Sequence, residues 1–193
     1  MRFDREQLAA LRGHTLPDLI GPGLRLMFVG INPGLWTVAV QSHFGRRGNR
    51  FYPALYRAGI TDHPIDASAG FRPEDVAHLQ ERGVGITNLV PGATARADEL
   101  SRAELAAGVG PLTATVTALR PAVVAVLGVT AYRTAFARPR ATTGRQPEGL
   151  AGAELWVAPN PSGLNAHASL DALAAAYREI AVAAGIAVLD PPA

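Results

Sequence analysis

The sequence predicts an α/β fold, a three-layer α/β/α sandwich with a central, mostly parallel four-stranded sheet. Three observations predict it. Short apolar runs recur along the chain, amphipathic segments of helical spacing alternate with them, and no repeat or low-complexity linker interrupts the series. The 193 residues suffice for one buried core, so a single domain is expected over 1–193.

Residues 2–11 predict a short helix, and Gly21-Pro-Gly23 then punctuates the chain before the apolar run 24–29, which ends at Gly30 and predicts the first strand. Residues 49–58 and 73–82 carry helical spacing, the latter with Pro73 in its first turn. The second strand is expected at 84–90. A long helix follows over 99–119, with Gly108-Val-Gly110-Pro111 as the place for a break. The third strand is expected at 122–127, a helix at 130–137, a turn-rich stretch at 148–151, a fourth strand at 155–158 and a closing amphipathic helix at 170–184.

Composition removes much chemistry. There is no cysteine, and all 18 Lys+Arg positions are arginine. Disulfides, cysteine-ligated clusters, thiol nucleophiles, lysine Schiff bases and the Walker phosphate loop are thereby excluded, and neither a metal nor a cofactor is expected. The net charge of +2 and pI near 9.5 permit contact with nucleic acid without demonstrating it. The charged N-terminal stretch and the lack of a membrane-length apolar run predict a soluble, intracellular protein not associated with a membrane. A monomer in the bacterial cytoplasm, associated with the nucleoid, is the further expectation.

In an open parallel sheet, ligands bind beyond the carboxyl ends of the strands. Two loops there are unusual: Gly30-Ile-Asn-Pro-Gly34 after the first strand and Asn160-Pro-Ser-Gly-Leu-Asn165 after the fourth. In the first, Asn32 precedes a proline that biases it toward extended geometry, and the flanking glycines allow close approach to a ligand. Asn-Pro-Gly is also an ordinary turn sequence, so neither loop decides function by itself.

Together the two loops resemble the signature loops of the uracil-DNA glycosylase superfamily, specifically its mismatch-specific uracil/thymine branch. Phe44, the triplet Asn49-Arg50-Phe51, the segment Gly85-Ile-Thr-Asn-Leu-Val90 and the closing helix with Tyr177 continue the likeness, which spans roughly 24–180. The resemblance implies a monofunctional enzyme that hydrolyses the N-glycosidic bond of uracil, with thymine and other damaged pyrimidines as further candidates, in double-stranded DNA, opposite guanine, after flipping the nucleotide. It implies that Asn32 holds the attacking water, that Gly30 and Ile31 bring backbone N–H groups to the departing base, and that Phe44 stacks on it.

Asn49 suits either a base contact or a cap on the following helix. In the second loop, Leu164 would wedge into the stack, with Asn160, Ser162, Gly163 and Asn165 around it and His167 either contacting DNA or standing idle in the loop. Arg46, Arg47 and Arg50 would meet phosphates, and Arg138, Arg140 and Arg145 form a second basic loop. The chain departs from the family pattern at Trp36, which could narrow the pocket mouth or cover the sheet edge, at Asn88, and at Ala166. These departures leave open a glycosylase for another lesion, such as hypoxanthine or etheno-cytosine, and the same sheet-edge loops could serve binding alone in a nucleotide-binding α/β protein without hydrolysis. An esterase is disfavoured because no Gly-x-Ser-x-Gly elbow occurs, and dinucleotide binding because no Gly-x-Gly-x-x-Gly follows the first strand.

Overall fold

The computed structural model describes residues 3–163 and 168–190. Its sheet contains β1 (Leu26–Gly30), β2 (Val84–Asn88), β3 (Val123–Leu127), β4 (Gly144–Arg145) and β5 (Glu154–Ala158), in the order β2-β1-β3-β5-β4. The first three and β5 run parallel, whereas β4 pairs antiparallel with β5. The expected four-stranded sheet is therefore five-stranded. The extra strand is a two-residue Gly-Arg pair with no apolar run of its own; its Arg145 reaches Glu154 at 3.0 Å across the sheet edge.

Both β1 and β3 are buried along their whole length, the burial expected of central parallel strands covered on two faces. Alternation divides β1 between the two cores. Leu26 and Phe28 point to one, with Phe51, Leu173 and Tyr177; Met27 and Val29 point to the other, with Leu112, Val116 and Tyr132. Phe28, Phe51 and Tyr177 join in mutual aromatic contacts, Phe28 meeting Phe51 edge-on at 5.2 Å between centroids.

The helices are α1 (Arg5–Ala9), α2 (Leu35–Ala39), α3 (Phe51–Arg57), α4 (Pro73–Glu81), α5 (Arg102–Ala107), α6 (Val109–Leu119), α7 (Val129–Ala135) and α8 (Leu170–Ala183). The long helix expected at 99–119 is split at Gly108, where an added Cβ would lie 2.3 Å from the Leu89 carbonyl oxygen. Its first part starts at Ser101, which forms a reciprocal capping box with Glu104. The five-residue α2 has too few turns to leave a periodic signal, and the sequence does not predict it. Among the described residues no helix is long and apolar enough to cross a membrane.

Parallel register brings Gly30 beside Asn88 and Leu127 beside Ala158, so β1, β2, β3 and β5 end along one edge of the sheet. The loops leaving these strands share that edge.

Candidate active site

The chain leaving β2 continues alongside the loop leaving β1. Leu89 and Val90 donate backbone hydrogen bonds to the carbonyls of Gly30 and Ile31 (2.8 and 2.9 Å), and Thr94 donates to that of Pro33 (3.2 Å). This second strand of chain fixes the Asn32 side chain. Its Nδ2 donates to the Gly92 carbonyl (3.0 Å) and to Thr94 Oγ1 (2.8 Å), and Thr94 Oγ1 in turn donates to the Arg96 carbonyl (2.8 Å).

A backbone carbonyl can only accept, so Gly92 dictates which end of the amide faces it. Both amide hydrogens are thereby used. The atom that remains for a ligand is Oδ1, and Asn32 lines a pocket of about 310 Å³. Such an acceptor suits the hydrogen of a water whose lone pair must point elsewhere.

That pocket gathers eight of the residues the sequence singled out: Gly30, Ile31, Asn32, Phe44, Arg46, Asn49, Asn160 and Ser162. Phe44 stacks on Phe51, with centroids 4.1 Å apart and planes inclined by 28°, and it also borders the pocket. Core packing and a pocket-facing position are therefore combined in one ring. Its φ of 55° is unusual for a bulky residue and costs on the order of 1–2 kcal/mol, a strain that the surrounding loop must hold. Gly30 is glycine for a steric reason: a Cβ there would stand 2.6 Å from Asn88 Oδ1 and 3.3 Å from the Phe44 ring.

Asn49 lines the pocket, and its Oδ1 also accepts from Phe51 N (2.9 Å) at the start of α3, so its side-chain oxygen serves the helix terminus. Arg50, expected at a phosphate, also bonds within the chain. Its guanidinium donates to the carbonyls of Ala168 and Ser162 (the latter at 3.1 Å), while its backbone N–H donates to the Pro161 carbonyl (3.0 Å). It ties the two site loops together from inside.

Gly163 belongs to the same junction, since a Cβ on it would lie 2.6 Å from the Gly48 carbonyl oxygen. Arg46 and Arg47 are exposed, and only Arg46 of the two borders the pocket. Leu164, Asn165 and His167, like Ala166, lie outside the described residues. In the other basic loop, Arg138 and Arg145 pair with Glu148 (3.3 Å) and Glu154 (3.0 Å). Trp36 does not line the pocket; its Nε1 donates to the Ser68 carbonyl (3.1 Å) and its ring meets Phe3 edge-on.

Several residues in or behind the pocket were not singled out as site residues in the sequence. Thr94 and Gly92 are the supports of Asn32, far from it along the chain. Asp98 borders the pocket too, but it is largely exposed and bound in a two-pronged ion pair to Arg96. His43 is buried. Burial holds its pKa below the ordinary 6.5, against the opposing pull of the Pro17 carbonyl.

The neutral ring then has one hydrogen, and the Pro17 carbonyl, 3.0 Å from Nε2, places it there. Nδ1 is left as an acceptor toward Asn88 Nδ2 at 3.4 Å, a long contact that turns Asn88 Oδ1 toward Gly30 and the pocket. The signal for Asn88 was its position at the end of a strand, opposite Gly30; His43 carried none.

The molecule resembles known proteins in fold and in family. A solution structure of a candidate uracil DNA glycosylase from Methanosarcina acetivorans superposes with a TM-score of 0.56 over 88% of this chain and 98% of that one, at 16% identity, a likeness of fold alone. The family model for the uracil DNA glycosylase superfamily matches residues 17–181, a span that runs from before β1 into α8 and includes both loops of the pocket. With the family model covering most of its length, the chain belongs to the uracil DNA glycosylase superfamily.

Proposed function

We propose that this protein is a monofunctional DNA glycosylase that hydrolyses the N-glycosidic bond of uracil, and of related damaged pyrimidines, in mismatches with guanine. The observation that carries the reading is the Asn32 amide, whose two hydrogens are taken by Gly92 and Thr94 so that Oδ1 is available to a water. Departure of the base gives an oxocarbenium-like sugar, and the attacking water needs position more than a strong base. The surroundings match that demand, because the carboxylate in the pocket lining, Asp98, is engaged with Arg96.

The flipped base would lie against Phe44, with the Ile31 backbone N–H near the developing charge on the pyrimidine and Asn88 Oδ1 able to accept from its imide N–H. Arg46 and Arg47 would meet the phosphates and Leu164 would fill the gap in the duplex. Preference for guanine opposite the lesion rests on the likeness of Gly30–Gly34 and Asn160–Leu164 to the mismatch-specific branch. Without a lysine, the chain has no side-chain amine for Schiff-base chemistry at C1′.

The test is incubation with duplexes carrying G:U, G:T, A:U, etheno-cytosine or hypoxanthine, and with single-stranded uracil, followed by alkaline cleavage. Release is expected to be fastest from G:U, with the strand intact until alkali and no borohydride-trapped adduct. Faster release of another base would reassign the substrate, no release at all would leave a nucleotide-binding protein, and a trapped adduct from active protein would overturn the hydrolytic mechanism.

A further inference from the structure

We infer that the chain carries a second site, for one borderline divalent cation of the Zn²⁺, Ni²⁺ or Co²⁺ type, formed by Asp62, His63 and His78. One ligand atom from each of the three lies within 4.8 Å of the others, and Asp62 Oδ1 faces both rings, His63 Nδ1 at 2.6 Å and His78 Nε2 at 3.4 Å. None of the three residues lines the Asn32 pocket.

The arrangement follows from two elements. Asp75 and His78 are one turn apart on α4 and face the same way, toward the turn after α3 that holds Asp62 and His63. Thr61, buried, fixes that turn by donating from Oγ1 to the His63 carbonyl (3.0 Å). Asp75 is 1% exposed, and its Oδ1 lies 2.9 Å from His63 Nε2. A carboxylate at one ring nitrogen keeps the hydrogen there and presents the other nitrogen as a ligand, the arrangement that orients metal-binding histidines. The other nitrogen, Nδ1, stands 2.6 Å from Asp62 Oδ1.

With its hydrogen on Nε2, the His63 ring presents a lone pair to the Asp62 carboxylate, and either a proton or a metal ion can sit between these two acceptors. His78 separates these choices. Its Nε2 is buried, 3.4 Å from Asp62 Oδ1, and makes no hydrogen bond. A proton shared by His63 and Asp62 leaves His78 Nε2 as it is, whereas a cation among the three atoms satisfies all of them.

Tetrahedral coordination at metal–ligand distances near 2.1 Å puts ligand atoms about 3.4 Å apart. The Asp62–His78 separation of 3.4 Å already meets this, and the closer His63–Asp62 pair can open by rotation of Asp62, whose side chain is 61% exposed. Two imidazoles and one carboxylate favour a borderline ion over Mg²⁺ or Ca²⁺. Such an ion would staple the turn after α3 to α4. Between these anchors runs the segment whose Ser68 carbonyl receives Trp36, so the effect is structural and independent of the function proposed above.

The experiment uses untagged, chelator-treated protein, because a polyhistidine tag would bind the same ions. After addition of Zn²⁺ and gel filtration, one equivalent per chain should be retained and the thermal midpoint should rise, with no rise in Mg²⁺. Co²⁺ should give visible ligand-field bands. His78→Ala should abolish retention and bands, and Asp75→Asn should weaken binding by about 10- to 100-fold while keeping the stoichiometry. Imidazole resonances of the wild-type protein provide a check that needs no variant: of its five histidines, Zn²⁺ should shift the two of this site. Failure to retain the ion, unchanged retention by His78→Ala, or shifts confined to other histidines would each overturn the site.

Discussion

Asn32 and Asn160 follow β1 and β5, the two strands that flank β3, and both border one pocket, yet their amides are used in opposite ways. Asn32 spends its donors on distant chain, Gly92 and Thr94, and keeps its acceptor for the pocket. Asn160 uses its acceptor locally, its Oδ1 taking the Ser162 N–H at 2.9 Å to shape the turn. A water that must be held by a carbonyl oxygen finds a preorganised one at Asn32. The difference is made by what surrounds each asparagine, since residue type and place on the sheet edge are the same.

The sharpest way to break this comparison is to remove each amide. Asn32→Ala should lower single-turnover base release by about 10²-fold with folding and DNA affinity retained, the scale of one preorganised polar contact. Thr94→Val keeps the shape but takes away one of the two acceptors that orient Asn32, so the amide is held less firmly. A loss of about 1–1.5 kcal/mol, about tenfold in rate, is expected there, with DNA affinity unchanged. Asn160→Ala should act mainly on the turn, lowering the thermal midpoint and duplex affinity and reducing the rate on bound DNA less than Thr94→Val does. Equal rate losses in Asn32→Ala and Asn160→Ala would mean that the two amides share the chemistry and that the contrast drawn from their hydrogen bonds is wrong.

Legibility in the sequence followed the range of the interactions. β1 and β3 could be read because strands buried on both faces must be apolar throughout, and their alignment then fixes where the following loops go. Asn32 could be read because its neighbours, a proline and two glycines, constrain it locally. The bond from Asn32 to Thr94 could not, since Pro91-Gly-Ala-Thr94 carries no local sign that it will run beside Gly34.

Arg50 shows the same boundary from the other side. As a sequence it is one arginine in a basic loop, and only the approach of the Asn160 loop turns it into an internal tie to the Ser162 and Ala168 carbonyls. β4 escaped because two residues have no periodicity.

The smallest expected effect concerns the support of the base rather than of the water. Burial lowers the pKa of His43 below 6.5, so over the interval between its folded value and 6.5 the unfolded chain binds a proton that the folded chain does not. Acidification therefore favours unfolding: the stability contributed by neutral His43 is full above about 6.5 and is lost as pH falls through the folded value. His63 works in the opposite sense, its pKa raised first by the hydrogen bond to Asp75, so a wild-type pH profile mixes the two. The difference between wild type and His43→Gln isolates the first. It should narrow on acidification below 6.5, because the glutamine has no proton to gain. A second consequence reaches the pocket. Once protonated, His43 Nδ1 becomes a donor facing the Asn88 amide nitrogen, and the amide relieves the clash by turning its oxygen away from Gly30. An imide N–H in the pocket would then meet a donor instead of an acceptor, so the KM for uracil-containing duplex should rise on acidification more than kcat falls. His43→Gln should flatten that rise. A KM profile unchanged by the substitution would remove His43 from control of Asn88 and leave it as a buried packing residue.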